Sequence, residues 1–205
     1  MLILGNDFLV TVKLSQEDRT RAMRTRLMEA TIDSLVELGW SGTTTTVVSQ
    51  RAGVSRGAQL HHFPTKQALV VGAVEHLMLM RREELAAIAE SEQRSTREIL
   101  EILSQLFVSP VFFAALELWV AARSDAELRE HVLPLERRVG RDTHSLALRM
   151  LSVDDTRGNN RQLIQITLDL MRGLALAASL SDDSARRKEV LDSWAVVLET
   201  QLEKS

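Results

Sequence analysis

The sequence predicts an all-α protein, and three observations carry that expectation. Leu, Ala, Glu and Arg dominate a chain of 205 residues with only 9 Gly, 3 Pro, no Tyr and 4% aromatics, a composition that favours helices over strands. Apolar residues return every three or four positions through the long segments, which aligns them on one helical face. Two segments open with capping signatures, Ser15-Gln16-Glu17-Asp18 and Ser95 to Glu98, in which a hydroxyl and an acid three residues apart satisfy the free N–H groups of a helix start.

Each element follows from local signals. Behind the first capping box, Met23, Leu27, Ala30, Thr31, Leu35 and Leu38 recur until Gly39, which predicts a helix over 16–38. The threonines Thr43 to Thr46 supply N-caps for a short helix carrying Val47, Val48 and Ala52 and ending at Gly53, where a residue without Cβ turns sharply. Ser55 caps a third helix that reaches about His62 and stops at Phe63-Pro64. Thr65 caps a fourth, running to about residue 92 through Leu69, Ala73, Leu77, Met80 and Leu85. The second box opens a helix to about Val108, and Pro110 suits the first turn of the next, over about 111–123. Helices over about 126–150, 161–180 and 184–203 complete a set of about nine, with the polar segment "SVDDTRGNN", 152–160, as a loop. The expected organisation is an extension over 1–14, a helix-turn-helix unit over 15–64 and a helical body over 65–205.

Several function classes drop out. Without cysteine there is no disulfide, thiolate metal site or cysteine nucleophile. No uninterrupted apolar run reaches about eighteen residues. The greasiest stretch, Phe107 to Ala122, contains Ser109, Pro110 and Glu117 and reads as a buried helix pair. The opening "MLILGNDFLVTVKL" lacks the basic leader and cleavage site of a signal peptide, so a cytoplasmic location without a membrane partner is the expectation. No GxSxG elbow, phosphate loop or HExxH occurs, so neither catalysis nor a cofactor is expected. His61 and His62 project about 100° apart on a helix, and His76, His131 and His144 are scattered, so no metal site is expected.

Charge is distributed unevenly behind a net of −3. From Trp40 to Lys66 the chain carries Arg51, Arg56 and Lys66 and no acid, whereas 67–205 holds 17 Lys and Arg against 22 Asp and Glu. An acid-free module on an acidic body suits a polyanion at one end, and Arg19, Arg21, Arg24 and Arg26 extend the basic region if they lie nearby. Within that module, "AGVSRGAQLHHFPTK" has the form of two short helices joined by a tight glycine turn. Val48, Ala52, Val54 and Phe63 would face inward, leaving Ser55, Arg56, Gly57, Gln59, His61 and part of His62 outside. Such a helix fits the DNA major groove, where Arg pairs with guanine, Gln pairs with adenine, and small residues such as Gly57 and Ala58 permit close approach. On pattern alone, a solvated helical hairpin explains the same residues as well.

From about Arg24 to Val74 the sequence resembles the DNA-binding domain of the TetR family of bacterial transcriptional regulators. The residues that carry the resemblance are "EATIDSLVELGWSGTTTTVVSQRAGVSRGAQLHHFPTKQALV", including Gly39-Trp40, the threonines, "AGVSRG", "HHF" and Lys66 followed by Leu69. The resemblance implies that Thr44, Thr45 and Thr46 contact phosphate or the nearest base, with Thr43 a cap. It implies further that Arg56, Gly57 and Ala58 read bases, that His61 and His62 meet backbone or base edges, and that Lys66 meets phosphate. The family usually has Leu-Tyr where this chain has Gln59-Leu60, so the common tyrosine contact is absent. Gln59 either reads a base or faces the core, and Leu60 either packs or touches a thymine methyl.

The other three quarters of the chain agree with the family only in length and helical character, and there the resemblance implies a small-molecule cavity and a dimer interface. Phe107, Phe112, Phe113, Leu116 and Trp119 are cavity candidates, with Glu117, His144 or Arg172 as a polar anchor, although a filled core explains them equally. Leu163, Ile166, Leu170, Leu174 and Ala177, then Leu191, Ala195, Leu198 and Leu202, form stripes, with Gly173 permitting close approach. Stripes of this kind need partners inside the chain or across a two-fold axis, and the resemblance favours the axis. The expected function is a homodimeric repressor released from a palindromic DNA operator by a small-molecule effector. The alternative is a helical small-molecule-binding protein without a DNA-regulatory role.

Overall fold

Nine helices and no strand make up the described residues, 15–90 and 94–204, of the computed structural model; the 1–14 extension lies outside them. In chain order the helices are α1 Gln16–Gly42, α2 Thr45–Ala52, α3 Arg56–His62, α4 Lys66–Glu90, α5 Thr96–Phe107, α6 Pro110–Ala122, α7 Ala126–Leu151, α8 Asn160–Ala178 and α9 Ser184–Gln201. Both capping boxes form: Ser15 Oγ accepts from Asp18 N at 3.0 Å and Ser95 Oγ accepts from Glu98 N at 3.2 Å. Each acid answers by accepting from its serine N–H, at 3.3 and 2.8 Å.

Glycine ends the first two helices as their positions require. Gly39 takes φ 64° and interrupts α1 where the apolar periodicity stops. Thr43 then closes the break, its hydroxyl and its N–H both donating to the Gly39 carbonyl at 2.8 and 3.2 Å. Gly53 is left-handed, φ 63° and ψ 37°, and turns the chain from α2 into α3.

Two apolar clusters form the core. One joins Leu27, Leu35, Val48, Phe63, Leu69 and Val70 of α1–α4 to Ala114, Leu118, Leu128, Val132 and Leu135. The other joins Leu100, Leu103, Phe107 and Phe112 to Leu146, Leu151, Ile164, Leu168, Leu191 and Leu198. Helices α6 and α7 enter both clusters, so packing does not break at residue 64, where the sequence pattern places a domain boundary. The first unit is welded to the body through the small and branched side chains of α6 and α7.

The segment 152–160 is more than a polar loop. Asn160 at its end is fully buried. Its amide donates to the carbonyls of Asp154 and Glu203, both at 2.8 Å, and its oxygen accepts from Glu203 N at 3.0 Å. It thereby fastens the end of α9 to the α7–α8 connection. Among the described residues no single helix is long and apolar enough to cross a membrane; the apolar pair α5 and α6 is bent by 55° and supplies core residues.

Candidate nucleic-acid interface and effector cavity

Local caps set up the α2–α3 unit. Thr44 Oγ1 accepts from Val47 N at 3.2 Å and Ser55 Oγ accepts from Ala58 N at 3.2 Å, each satisfying a free donor at a helix start. Thr44, Thr46, Ser55, Arg56, Gly57 and His61 are exposed, and Thr45, Ala58 and His62 are half-buried. His61 and His62 meet edge to face, their centroids 5.1 Å apart. Desolvation, then the neighbouring His61 and Arg24, hold His62 below the usual imidazole pKa. Of the upstream arginines, Arg24 does reach this end of α3, lying 5.5 Å over the Phe63 ring. Arg51 is engaged by Glu37 at 2.5 Å, so an acid from outside the acid-free window neutralises one of its cations.

Gln59 corrects the outer-face assignment. It is fully buried, with Nε2 donating to the Phe63 carbonyl at 2.9 Å and Oε1 accepting from Ser49 Oγ at 3.3 Å. Gln59 and Phe63 are four residues apart and share the inward face, so the phase that buries Phe63 also buries Gln59. The side chain closes the C-terminal end of α3 and ties it to α2. Leu60, absent from the sequence-derived outer face, takes the outward position at 39% exposed. Lys66 is half-buried, its ammonium donating to the Trp40 carbonyl at 2.5 Å and lying 3.9 Å from the Trp40 ring centroid. Burial lowers its pKa.

The body contains a cavity of about 70 Å³ between α4, the end of α5, α6 and α7. Phe107, Phe112 and Trp119 line it as expected, and Phe112 packs edge-on against Phe107 and Trp119. The remaining candidates do not line it. Phe113 stacks behind Phe112 within the core, and Leu116 is half-buried elsewhere on α6. Glu117 is exposed and places its carboxylate near Gly39. His144 faces away and meets Asp155 at 3.0 Å. Arg172 lies 6.0 and 5.9 Å over the Phe107 and Trp119 rings and pairs with Asp169 at 2.7 Å, flanking the cavity. The polar lining comes instead from α4 and α7, as the pairs Arg82–Asp142, at 2.9 Å, and Arg138–Glu75. Residues so distant in sequence leave no local signal of a shared wall.

The stripes of α8 and α9 divide. Leu174, Leu191, Ala195, Leu198 and Leu202 are buried inside the chain, so they belong to its core and not to a surface. Leu163 and Leu170 are half-buried against that core, and Ala177 is half-buried. Ile166, 49% exposed, and Gly173 remain outside, and a Cβ at Gly173 would meet nothing within 4 Å. With Leu176, Leu180, Val196 and Val197 they form an exposed apolar face. A groove within it is lined by Ile166, Leu170, Val190, Trp194 and Val197, with Glu189 and Ser193 at its polar positions.

Residues 27–73 match the family model described as bacterial regulatory proteins, tetR family. The HTH-type transcriptional regulator CymR of Pseudomonas putida is 31% identical over 186 residues, covering 87% of this chain and 90% of that protein. The HTH-type transcriptional regulator BetI of Pseudomonas aeruginosa is 26% identical over 188 residues, covering 88% and 93%. The crystal structure of a transcriptional regulator from Pseudomonas aeruginosa PAO1 superposes with a TM-score of 0.67 at 22% identity, covering 95% of this chain and 97% of that one.

Proposed function

Because the chain belongs to the TetR family of DNA-binding transcriptional regulators, we propose that it is a homodimeric repressor released from a palindromic operator by a small molecule. The observation that carries this reading is the acid-free outer surface of α2 and α3. There Thr44, Thr46, Ser55, Arg56, Gly57 and His61 are exposed together, while Gln59 locks the two helices from within. Arg56 supplies the forked donor suited to guanine. The start of α2, with Thr44, Thr45 and Thr46, offers N–H groups and hydroxyls to phosphate. His61, His62 and the two remaining N–H groups of Lys66 add backbone contacts, and Ala58 keeps the helix slim near the groove.

The exposed apolar face of α8 and α9 supports the dimer. A second copy placed there buries Ile166, Leu176, Val196 and Val197, and Gly173 lets the helices approach closely. A two-fold axis then presents two α3 helices to half-sites roughly 34–36 Å apart. The cavity supports release by a small, mainly apolar molecule. Helix α4 starts at Lys66 beside the DNA-contacting unit and also forms the cavity wall from Glu75 to Arg82. A molecule that separates α4 from α7 favours a spacing of the two α3 helices that no longer matches DNA, and its differential affinity sets the loss of DNA binding.

The test is a mobility shift of DNA from upstream of its own gene. The expected result is salt-sensitive binding of two chains per site, with a changed sequence preference for Arg56→Ala. Compounds that raise the melting temperature are then expected to release the DNA, and to lose that effect in Trp119→Ala. Failure to bind any genomic fragment would return the function to a small-molecule-binding protein without a DNA-regulatory role.

A further inference from the structure

Two neighbours in α3 have polarities opposite to their environments: Gln59 is fully buried and Leu60 is 39% exposed. The bonds of Gln59 to Phe63 and Ser49 account for the first. The second leaves an isobutyl group in solvent in the free chain. Leu60 lies one turn beyond Arg56 and Gly57 on the outer surface, with His61 beside it, so these four residues form one patch.

Gly57 is the other anomaly in that patch. Its φ lies outside the left-handed region, and a Cβ placed on it would meet nothing within 4 Å. Neither backbone conformation nor internal packing therefore calls for glycine, although glycine costs a helix about 1 kcal/mol relative to alanine. The bare backbone faces open space, and Leu60, three residues on, presents its isobutyl group on the same side, more than 4 Å from a Cβ placed there. An open notch beside an apolar side chain complements an apolar protrusion. In the major groove that protrusion is the C5 methyl of thymine.

We infer that Gly57 and Leu60 together form a receptor for a thymine 5-methyl group, next to the base met by Arg56. Each operator half-site then requires a thymine at that position. The inference rests on α3 entering the major groove, the reading proposed above. Leu60 acts by excluding water from the methyl, so it sets specificity without a hydrogen bond. Cytosine at the same position lacks the methyl, and a purine there meets the wall with a polar edge.

The full-length protein is first used to select binding sites from a random DNA pool, and each enriched thymine is then replaced singly by deoxyuridine, which removes only the methyl. One such replacement in a single half-site is expected to weaken binding about fourfold, and one in each half-site about fifteenfold. In Leu60→Ala, whose melting temperature is expected to fall by no more than a few degrees because the residue is only partly covered, the deoxyuridine penalty falls below about twofold. Leu60→Met keeps most of the penalty, and Gly57→Ala, which fills the notch, removes it. A penalty that persists in both Leu60→Ala and Gly57→Ala, or no penalty at any thymine, would overturn the methyl receptor while leaving the role of α3 intact. Absence of any enriched sequence would overturn the reading of α3 itself.

Discussion

Replacing Gln59 by alanine tests whether this side chain belongs to the core or to the DNA. It is fully buried and makes one bond to the Phe63 carbonyl at 2.9 Å and another to Ser49 at 3.3 Å. Ser49 keeps a partner in the variant, because its one hydroxyl proton also faces the Thr45 carbonyl, at 2.7 Å the shorter of its two contacts. The Phe63 carbonyl does not. An orphaned buried acceptor costs about 1–3 kcal/mol, and the void left by the amide adds about 1 kcal/mol. The expected destabilisation is therefore roughly 2–4 kcal/mol, which in a chain of this size lowers Tm by roughly 5–15 °C. Gln59→Leu fills the void and loses only the polar part, so it is expected to recover roughly a quarter to a half of that shift. Calorimetry at one fixed protein concentration measures both variants, since the proposed dimer would make Tm concentration-dependent. Site selection from random DNA then compares their sequence preferences, which are expected to equal the parent's. An unchanged Tm together with an altered base preference would refute the placement of Gln59 and return it to the reading face.

Three further outcomes follow from the geometry. Ile166→Glu puts a charge on the exposed face of α8 and is expected to weaken the dimer at least about tenfold in sedimentation equilibrium without lowering helicity. Leu198→Ala in the core is expected instead to cost about 2–5 kcal/mol of stability, so a dimeric Ile166→Glu variant would exclude this face as the interface. Lys66→Ala removes the ammonium from the Trp40 carbonyl and ring and is expected to lower Tm by a few degrees. It also weakens binding to all DNA sequences equally, with a salt slope smaller by about 1 per chain. His62 has a lowered pKa in the free protein, so folding favours its neutral form, and its contribution to stability is lost as pH falls below about 6.5. A phosphate beside it favours the charged form, so DNA affinity is expected to rise as the pH falls from 8 to 6, opposite in sign to stability. Affinity that is flat over that range in fluorescence anisotropy would remove His62 from the phosphate contacts.

The helical fold and the position of the helix-turn-helix unit were legible because their causes are local. Capping boxes at Ser15 and Ser95, the glycine breaks at Gly39 and Gly53, and three- and four-residue apolar spacing act within one or two turns, so a single segment displays them. Which polar residues go inside was not legible. Gln59 and Asn160 look like surface residues by type, and they are buried because groups that folding brings up, Ser49 of α2 for one and Glu203 for the other, complete their hydrogen bonds. The cavity and the outer face of α8 and α9 had the same difficulty. Leucines at helical spacing declare a buried stripe without naming its partner. Only packing decided that Leu191 and Leu198 face their own chain while Ile166 and Val197 face outward. The sequence by itself determined which segments are helices, where each begins, and which one carries Arg56 on an acid-free turn, since these depend on neighbours along the chain. The tertiary structure alone decided that Gln59 points inward and Leu60 outward, because burial depends on groups that meet only after the chain has folded.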